Sequence, residues 1–187
     1  MIKSRVNTTD KIANVIKEHF PKKKLINISG IGIYNNLNEH TVESTAYDDG
    51  FMATLVKEWE ASLLKHNLNN YVIVRCGVVL GKRGGYFKII QNTVKLGFFV
   101  IFGNGKKYNS FIYLKDLSKL IEWLVVNDKK GVYNGVMPNY YTDMELVCEL
   151  RKLRKFVVFK LPAFVIKALF PRMNELFLDS KKLGLPG

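Results

Sequence analysis

The chain has 187 residues, is 48% hydrophobic and carries a formal charge of +13. That length suits one well-buried domain and is short for two. It has no run of eighteen apolar residues and no signal-peptide core, so neither a membrane span nor secretion is expected.

Taken in order, the pattern predicts a helix over about Asn7 to His19, capped by Thr8 or Thr9, with Ile12, Val15 and Ile16 on one face. Pro21 ends it. Lys24 to Ser29 reads as a short strand. The Gly30-x-Gly32 that follows lacks the third glycine of a dinucleotide fingerprint, and the polar residues after Asn35 offer no helix N-terminus, so the fingerprint is rejected. A helix is predicted over Phe51 to Lys65, with Phe51, Leu55, Val56, Trp59 and Leu63 as its apolar stripe. Another is expected over Tyr86 to Leu96. Phe99 to Phe102 and Asn109 to Tyr113 are short strands around Gly103-Asn104-Gly105. A helix follows over Lys115 to Val126, with Leu117, Leu120, Ile121 and Leu124 inward, then a strand over Val132 to Val136. Thr142 caps a helix to Leu153, with Glu145 completing a capping box. Phe156 to Phe159 is a strand, Pro162 opens a short apolar helix, and a last helix runs from Arg172 to Leu183. Alternating β and α elements point to an α/β fold with a parallel sheet.

Tyr71 to Gly85, YVIVRCGVVLGKRGG, organises this pattern. Val72, Ile73 and Val74 are β-branched and favour a strand covered on both faces. Arg75 closes the run, and Gly77, Gly81, Gly84 and Gly85 follow. In open α/β sheets ligands bind outside the carboxyl ends of the strands, so this is the first place to look for a site. The alternative is a structural pairing for Arg75 and simple turns at the glycines.

The two cysteines, Cys76 and Cys148, lie in apolar segments and read as reduced core thiols of a cytoplasmic protein or one of an organelle matrix, such as the mitochondrial. There is no C-x-x-C pair, and His19, His40 and His66 are scattered, so no metal site is expected. Basic doublets and triplets stand at the expected turns. A nucleic-acid partner rests on that charge alone; without an aromatic RNA-binding motif or a basic stripe, the favoured reading is a solvated surface.

Six stretches in succession resemble the atypical extended short-chain dehydrogenase/reductases of the YfcH-type, NAD-dependent epimerase/dehydratase-like family. SRVNTTDKIANVI resembles that family's SRV-x-x-T helix, and LINISGIGIYNN its strand and S-A-x-G-Y-Y-G turn. DDGFMATLVKEWEAS resembles the D-F-L-A…W-E helix, and VRCGVVLGKRGG the R-x-G-x-V-L-G-x-x-G-G segment. GNGKKYNSFIYLKDL and GVYNGVMPNYYTDMEL resemble the S-W-I-H and P-x-P-V-T-N-x-E-F segments, and the tail around LPAFVIKALF and ELFLDSKKL the small C-terminal domain.

The resemblance implies a partial Rossmann-type parallel sheet with flanking helices. Residues 1–137 would be the C-terminal part of an NAD(P)-binding epimerase domain, and 138–187 a small C-terminal domain. A full member has roughly a hundred further residues ahead of Met1, on the ordinary size of such a domain. They hold the glycine-rich turn that receives the pyrophosphate of NAD or NADP. This chain alone is therefore expected to bind neither cofactor. The superfamily's Tyr-x-x-x-Lys pair, which moves a proton, is matched here by Phe51 and Leu55. Ser29 falls near the superfamily's catalytic serine. Gly77, Val78 and Val79 match the strand end that borders the nicotinamide. Tyr34, Arg75, Ser110 and Tyr113 are the substrate-side candidates. The expected function is a fragment or divergent member of the sugar-nucleotide epimerase/dehydratase-like family, inactive alone; the alternative is a non-catalytic scaffold subunit of a larger assembly. Either way the strand near Leu25 has an open edge, so the expected partner is another chain completing the sheet, or a second copy.

Overall fold

The computed structural model describes residues 2–171 and 174–183. The elements run α1 (Ile2–His19), β1 (Leu25–Gly30), a single 3-10 turn (Ile31–Ile33), β2 (Glu39–His40), α2 (Phe51–Leu64), β3 (Tyr71–Cys76) and β4 (Val78–Leu80). They continue with α3 (Gly85–Lys95), β5 (Phe98–Phe102), β6 (Tyr108–Tyr113), α4 (Leu114–Val126), β7 (Gly131–Gly135) and β8 (Tyr140–Thr142). The remainder is α5 (Asp143–Leu153), β9 (Val157–Leu161), α6 (Ala163–Leu169), α7 (Asn174–Leu178) and β10 (Lys182–Leu183).

The β-branched run of β3 is wholly buried, as a strand covered on both faces must be. It is the centre of a parallel sheet in the order β1-β3-β7, with Leu25 opposite Tyr71 and Val72 opposite Gly131. Val72, Val74 and Cys76 pack with Ile112, Leu117 and Leu124 on one side. This is the α/β architecture with a parallel sheet that the alternating elements predict, and the Rossmann-like one that the resemblance implies. Three further ladders lie among the described residues: β4-β6-β8, β5 with β9, and β2 with β10. Each described strand after residue 137 thus pairs with one that precedes it in the chain: β8 with β6, β9 with β5, β10 with β2.

Most helices follow their apolar period, and the capping box of Thr142 and Glu145 forms as the motif requires. Several details differ from expectation. Helix α1 begins at Ile2, so neither Thr8 nor Thr9 caps it. Thr9 is instead buried mid-helix and accepts a hydrogen bond of 2.8 Å from the Trp59 indole on α2. That contact turns the Thr9 and Ala13 side inward and leaves Ile12 and Val15 each 45% exposed. Cys148 is exposed, because α5 buries Val147 beside it; only Cys76 is a core thiol. The last helix, expected from Arg172 to Leu183, is short: Arg172 lies outside the described residues, α7 ends at Leu178, and the chain then extends into β10. The reason is tertiary: Ser110 accepts from the Leu183 N–H at 3.0 Å and donates to the Lys181 carbonyl at 3.0 Å, holding this backbone extended.

Candidate functional site

Strands β1 and β3 end side by side, Gly30 opposite Cys76. Beyond their carboxyl ends lies a cavity of about 280 Å³. Its walls come from the 3-10 turn (Gly30 to Gly32), the start of α2 (Met52), the β3–β4 junction (Cys76 to Val78) and the first half of β6. Segment 175–181 closes it through Glu175, Asp179 and Lys181. A second cavity, about 730 Å³, opens beside it among Asn104, Lys160, Lys167 and Asn174. Lys107 and Asp179 line both, so the two meet at these side chains.

Glycine is required at the β3–β4 junction. A Cβ on Gly77 would stand 2.2 Å from the Ser110 carbonyl oxygen, so the junction packs directly on the β6 backbone. Of the residues singled out in the sequence, Gly77, Val78 and Ser110 line the smaller cavity together. Val79 packs against the core on the far side. Tyr113, 53% exposed, lines separate surface hollows with Leu80. Ser29, Arg75 and Tyr34 are brought together too, but behind the cavity wall.

There they form a buried polar chain. The Ser29 hydroxyl donates to Glu60 Oε1 at 2.8 Å. Arg75 donates to both Glu60 oxygens, Nε to Oε1 at 2.9 Å and Nη2 to Oε2 at 2.7 Å. Its Nη1 donates to the Tyr34 hydroxyl at 2.9 Å, which in turn donates to Asn134 Oδ1 at 3.0 Å. The guanidinium also lies over the rings of Tyr34 and Tyr47, 5.3 and 5.4 Å from their centres. Burial opposes the charge on Arg75, but the hydrogen bonds of Glu60 and Tyr34 outweigh it and hold the group above its ordinary value. Burial likewise pushes the Tyr34 phenol up, against the pull of Arg75.

Segment 175–181 is fastened by two further charges. The Glu175 carboxylate accepts from the N–H groups of Phe51 and Met52, at 2.9 and 2.8 Å, where α2 begins. An anion there is favoured by the free N–H groups and the helix dipole. Lys181 donates to the Tyr34 carbonyl at 2.6 Å and reaches Asp48 and Asp179, each at 3.3 Å. Lys107 stands differently. Burial lowers its pKa from the usual lysine range, and Asp143 and Asp179 only partly offset this. Asp143, raised by burial, accepts from Asn109 at 2.8 Å through Oδ1, while Oδ2 has no hydrogen-bond partner among the described residues.

Glu60, Glu175, Lys107 and Lys181 were not singled out from the sequence. A signal existed for Glu60 alone: it lies one turn after Val56 on the buried side of α2, where a carboxylate demands a cation. The other three act across long sequence separations.

The smaller cavity lies just under the usual range for ligand pockets, about 300–1,000 Å³. It is lined by backbone and apolar groups at Gly30 to Gly32 and Gly77 to Val78, and by the charged Lys107, Glu175, Asp179 and Lys181. After β1, where the dinucleotide fingerprint is rejected in the sequence, the chain enters the 3-10 turn and not a glycine-rich turn into a helix.

No family model matches the chain. The human epimerase family protein SDR39U1 is 32% identical over 192 residues, covering 100% of this chain and 66% of the relative. The chloroplastic SDR39U1 homolog of Arabidopsis thaliana is 29% identical over 197 residues, covering 96% of this chain and 54% of its own length. A crystal structure of human SDR39U1 isoform 2 with NADPH superposes with a TM-score of 0.86 at 28% identity, over 97% of this chain and 64% of that one. The chain therefore spans between about half and two thirds of the length of these relatives. Sequence, parallel sheet and cleft agree: the chain belongs to the atypical extended short-chain dehydrogenase/reductases, in their NAD-dependent epimerase/dehydratase-like family.

Proposed function

We propose that this chain supplies the substrate side and the nicotinamide end of an NAD(P)-dependent sugar-nucleotide epimerase/dehydratase-like enzyme. The observation that carries this reading is the cleft outside the carboxyl ends of β1 and β3, which runs on into a cavity bearing Lys107, Lys160 and Lys167. The first part suits a flat ring, and the second suits an anionic substrate. A bound nicotinamide would supply hydride exchange. Gly30 to Gly32, Gly77 and Val78 would exclude water around the ring, and Lys160 and Lys167 would hold the substrate's phosphates.

On this reading a further segment or a second chain supplies the pyrophosphate turn. The outer edge of β1 has no strand partner among the described residues. Beside it, Ile12, Val15, Phe20 and Ile28 are 37–52% exposed. A parallel strand docked there would complete the sheet and cover them. The test is calorimetric titration of NADPH into the chain alone, and into the chain joined to a βα segment with a glycine-rich turn. Micromolar binding only in the joined form is expected. No binding by a folded joined form would overturn the reading.

A second reading is a non-catalytic scaffold, and one observation favours it: Phe51 and Leu55 stand where the superfamily keeps its proton-transfer pair, and Leu55 is only 3% exposed. A joined form that binds NADPH yet turns over no sugar nucleotide would support it.

A further inference from the structure

Lys107 and Lys181 line the same cleft, and their environments are opposite. Lys181 is held by a carbonyl and two carboxylates. The Lys107 amine makes no hydrogen bond or ion pair among the described residues. Its backbone is fixed, since the Lys107 carbonyl accepts from the Asp143 N–H at 3.3 Å and Gly105 accepts from Met144 at 3.2 Å, binding the loop to the start of α5. The side chain is thus directed from an anchored loop into the junction of both cavities. The charged groups that share its surroundings are Asp143 from α5, Glu175, Asp179 and Lys181 from the closing segment, Lys160 from β9 and Lys167 from α6.

Lys107 lines both cavities with no carboxylate in contact among the described residues, burial lowers its pKa, and the neutral form of a lysine amine is a nucleophile. We propose that Lys107 is a nucleophilic amine that captures the carbonyl carbon of a phosphate-bearing aldehyde or ketone, with Lys160 and Lys167 holding the phosphate. The nitrogen lone pair forms the C–N bond as the carbonyl π pair moves to oxygen. The nitrogen then loses its protons, the oxygen gains them and departs as one water, and an imine remains. No electrons are gained or lost, so no nicotinamide takes part, and the proposal stands apart from the cofactor reading. Asp179, which lines both cavities, is placed to carry the protons.

Pyridoxal 5′-phosphate serves as the probe. The full chain is incubated with one equivalent near neutral pH, the imine is reduced with borohydride, and the labelled lysines are mapped by mass spectrometry. Lys107 is expected to carry the largest share of label, and inorganic phosphate to compete for it. Pyridoxal without phosphate should label Lys107 about tenfold less, the loss of roughly one charge-assisted contact. Lys107→Arg keeps the charge and should lose this label while the far-ultraviolet spectrum is unchanged. Should that variant fail to fold, phosphate competition on the native chain still decides. Label spread over exposed lysines such as Lys119, with Lys107 unmodified, would overturn the proposal. Equal labelling of Lys107 by the two aldehydes would overturn its phosphate site.

Discussion

Glu60 grips Arg75 through both carboxylate oxygens, in an interior where each side chain is 5% exposed. Such a pair adds little net stability when intact, yet removing one partner leaves the other charge buried and unpaired. Glu60→Ala is therefore expected to destabilise the fold by about 3–5 kcal/mol. Replacing both residues with leucine should cost much less. Urea midpoints of the single and double variants check this, and a double variant worse than Glu60→Ala would contradict it.

His40 gives the fold a dependence on mild acid. It is 1% exposed, stacks on Tyr34 with ring centres 4.9 Å apart, and its Nε2 faces the Asn35 carbonyl at 3.1 Å. Burial lowers its pKa below 6.5, with Lys181 adding to the effect and the Asn35 hydrogen bond opposing it. Between the folded and unfolded values the unfolded chain binds more protons. This contribution is thus complete above about pH 6.5 and is lost as pH falls through the folded value. The Asp48 carboxyl, lowered by its backbone hydrogen bonds and Lys181 against the effect of burial, loses its contribution only in stronger acid, below 3.8. His40→Gln should flatten the upper limb of the stability profile and leave the lower one in place. Denaturant midpoints across mildly acidic pH would show it; an unchanged upper limb would exclude His40 as its source.

Gly77→Ala tests the backbone seam under the cavity. The new methyl would stand 2.2 Å from the Ser110 oxygen and 2.9 Å from its carbonyl carbon. Strands β4 and β6 must separate to admit it, at a cost of about 1–3 kcal/mol, the usual range for overpacking. A melting temperature equal to that of the native chain would refute this close approach.

The open edge of β1 predicts association. Sedimentation of the purified chain should show dimers or larger species, and a strand-bearing partner should convert them to a single complex. Ile28→Lys, on the exposed side of β1, should weaken self-association. A monodisperse 21.5 kDa species melting cooperatively well above about 45 °C would show that the sheet is complete as it stands.

What the sequence revealed depended on how local the determining forces are. Val72 to Val74 declare a buried strand by their own stiffness, and Thr142 with Glu145 declare a helix start within four residues. The pairing of Arg75 is not local. Its carboxylate lies on a different element, and only the burial side of α2 marked Glu60 in advance. Cys148 was misplaced because it adjoins Val147, and on a helix neighbouring residues face different ways. β2 and β10 are two residues each, too short for any alternation to be seen, and they exist because each pairs with the other. The cleft inherits this division. Its glycine-bearing strand ends were legible, while Lys107, Glu175 and Lys181 came from segments that fold onto it later in the chain.

That arrangement sets an order of assembly. The hydrogen bond from Lys181 to the Tyr34 carbonyl joins residues 147 positions apart. During synthesis the chain emerges from its N-terminus, and early elements can collapse as soon as they appear. Helix α2, β1 and β3 can meet while the ribosome is still adding β5 to β9. The anion over the start of α2 and the cation beneath Tyr34 arrive after all of these strands. Until that segment is made, the cleft has its strand ends, the start of α2 and the β6 wall, but not the Glu175, Asp179 and Lys181 side chains that close it.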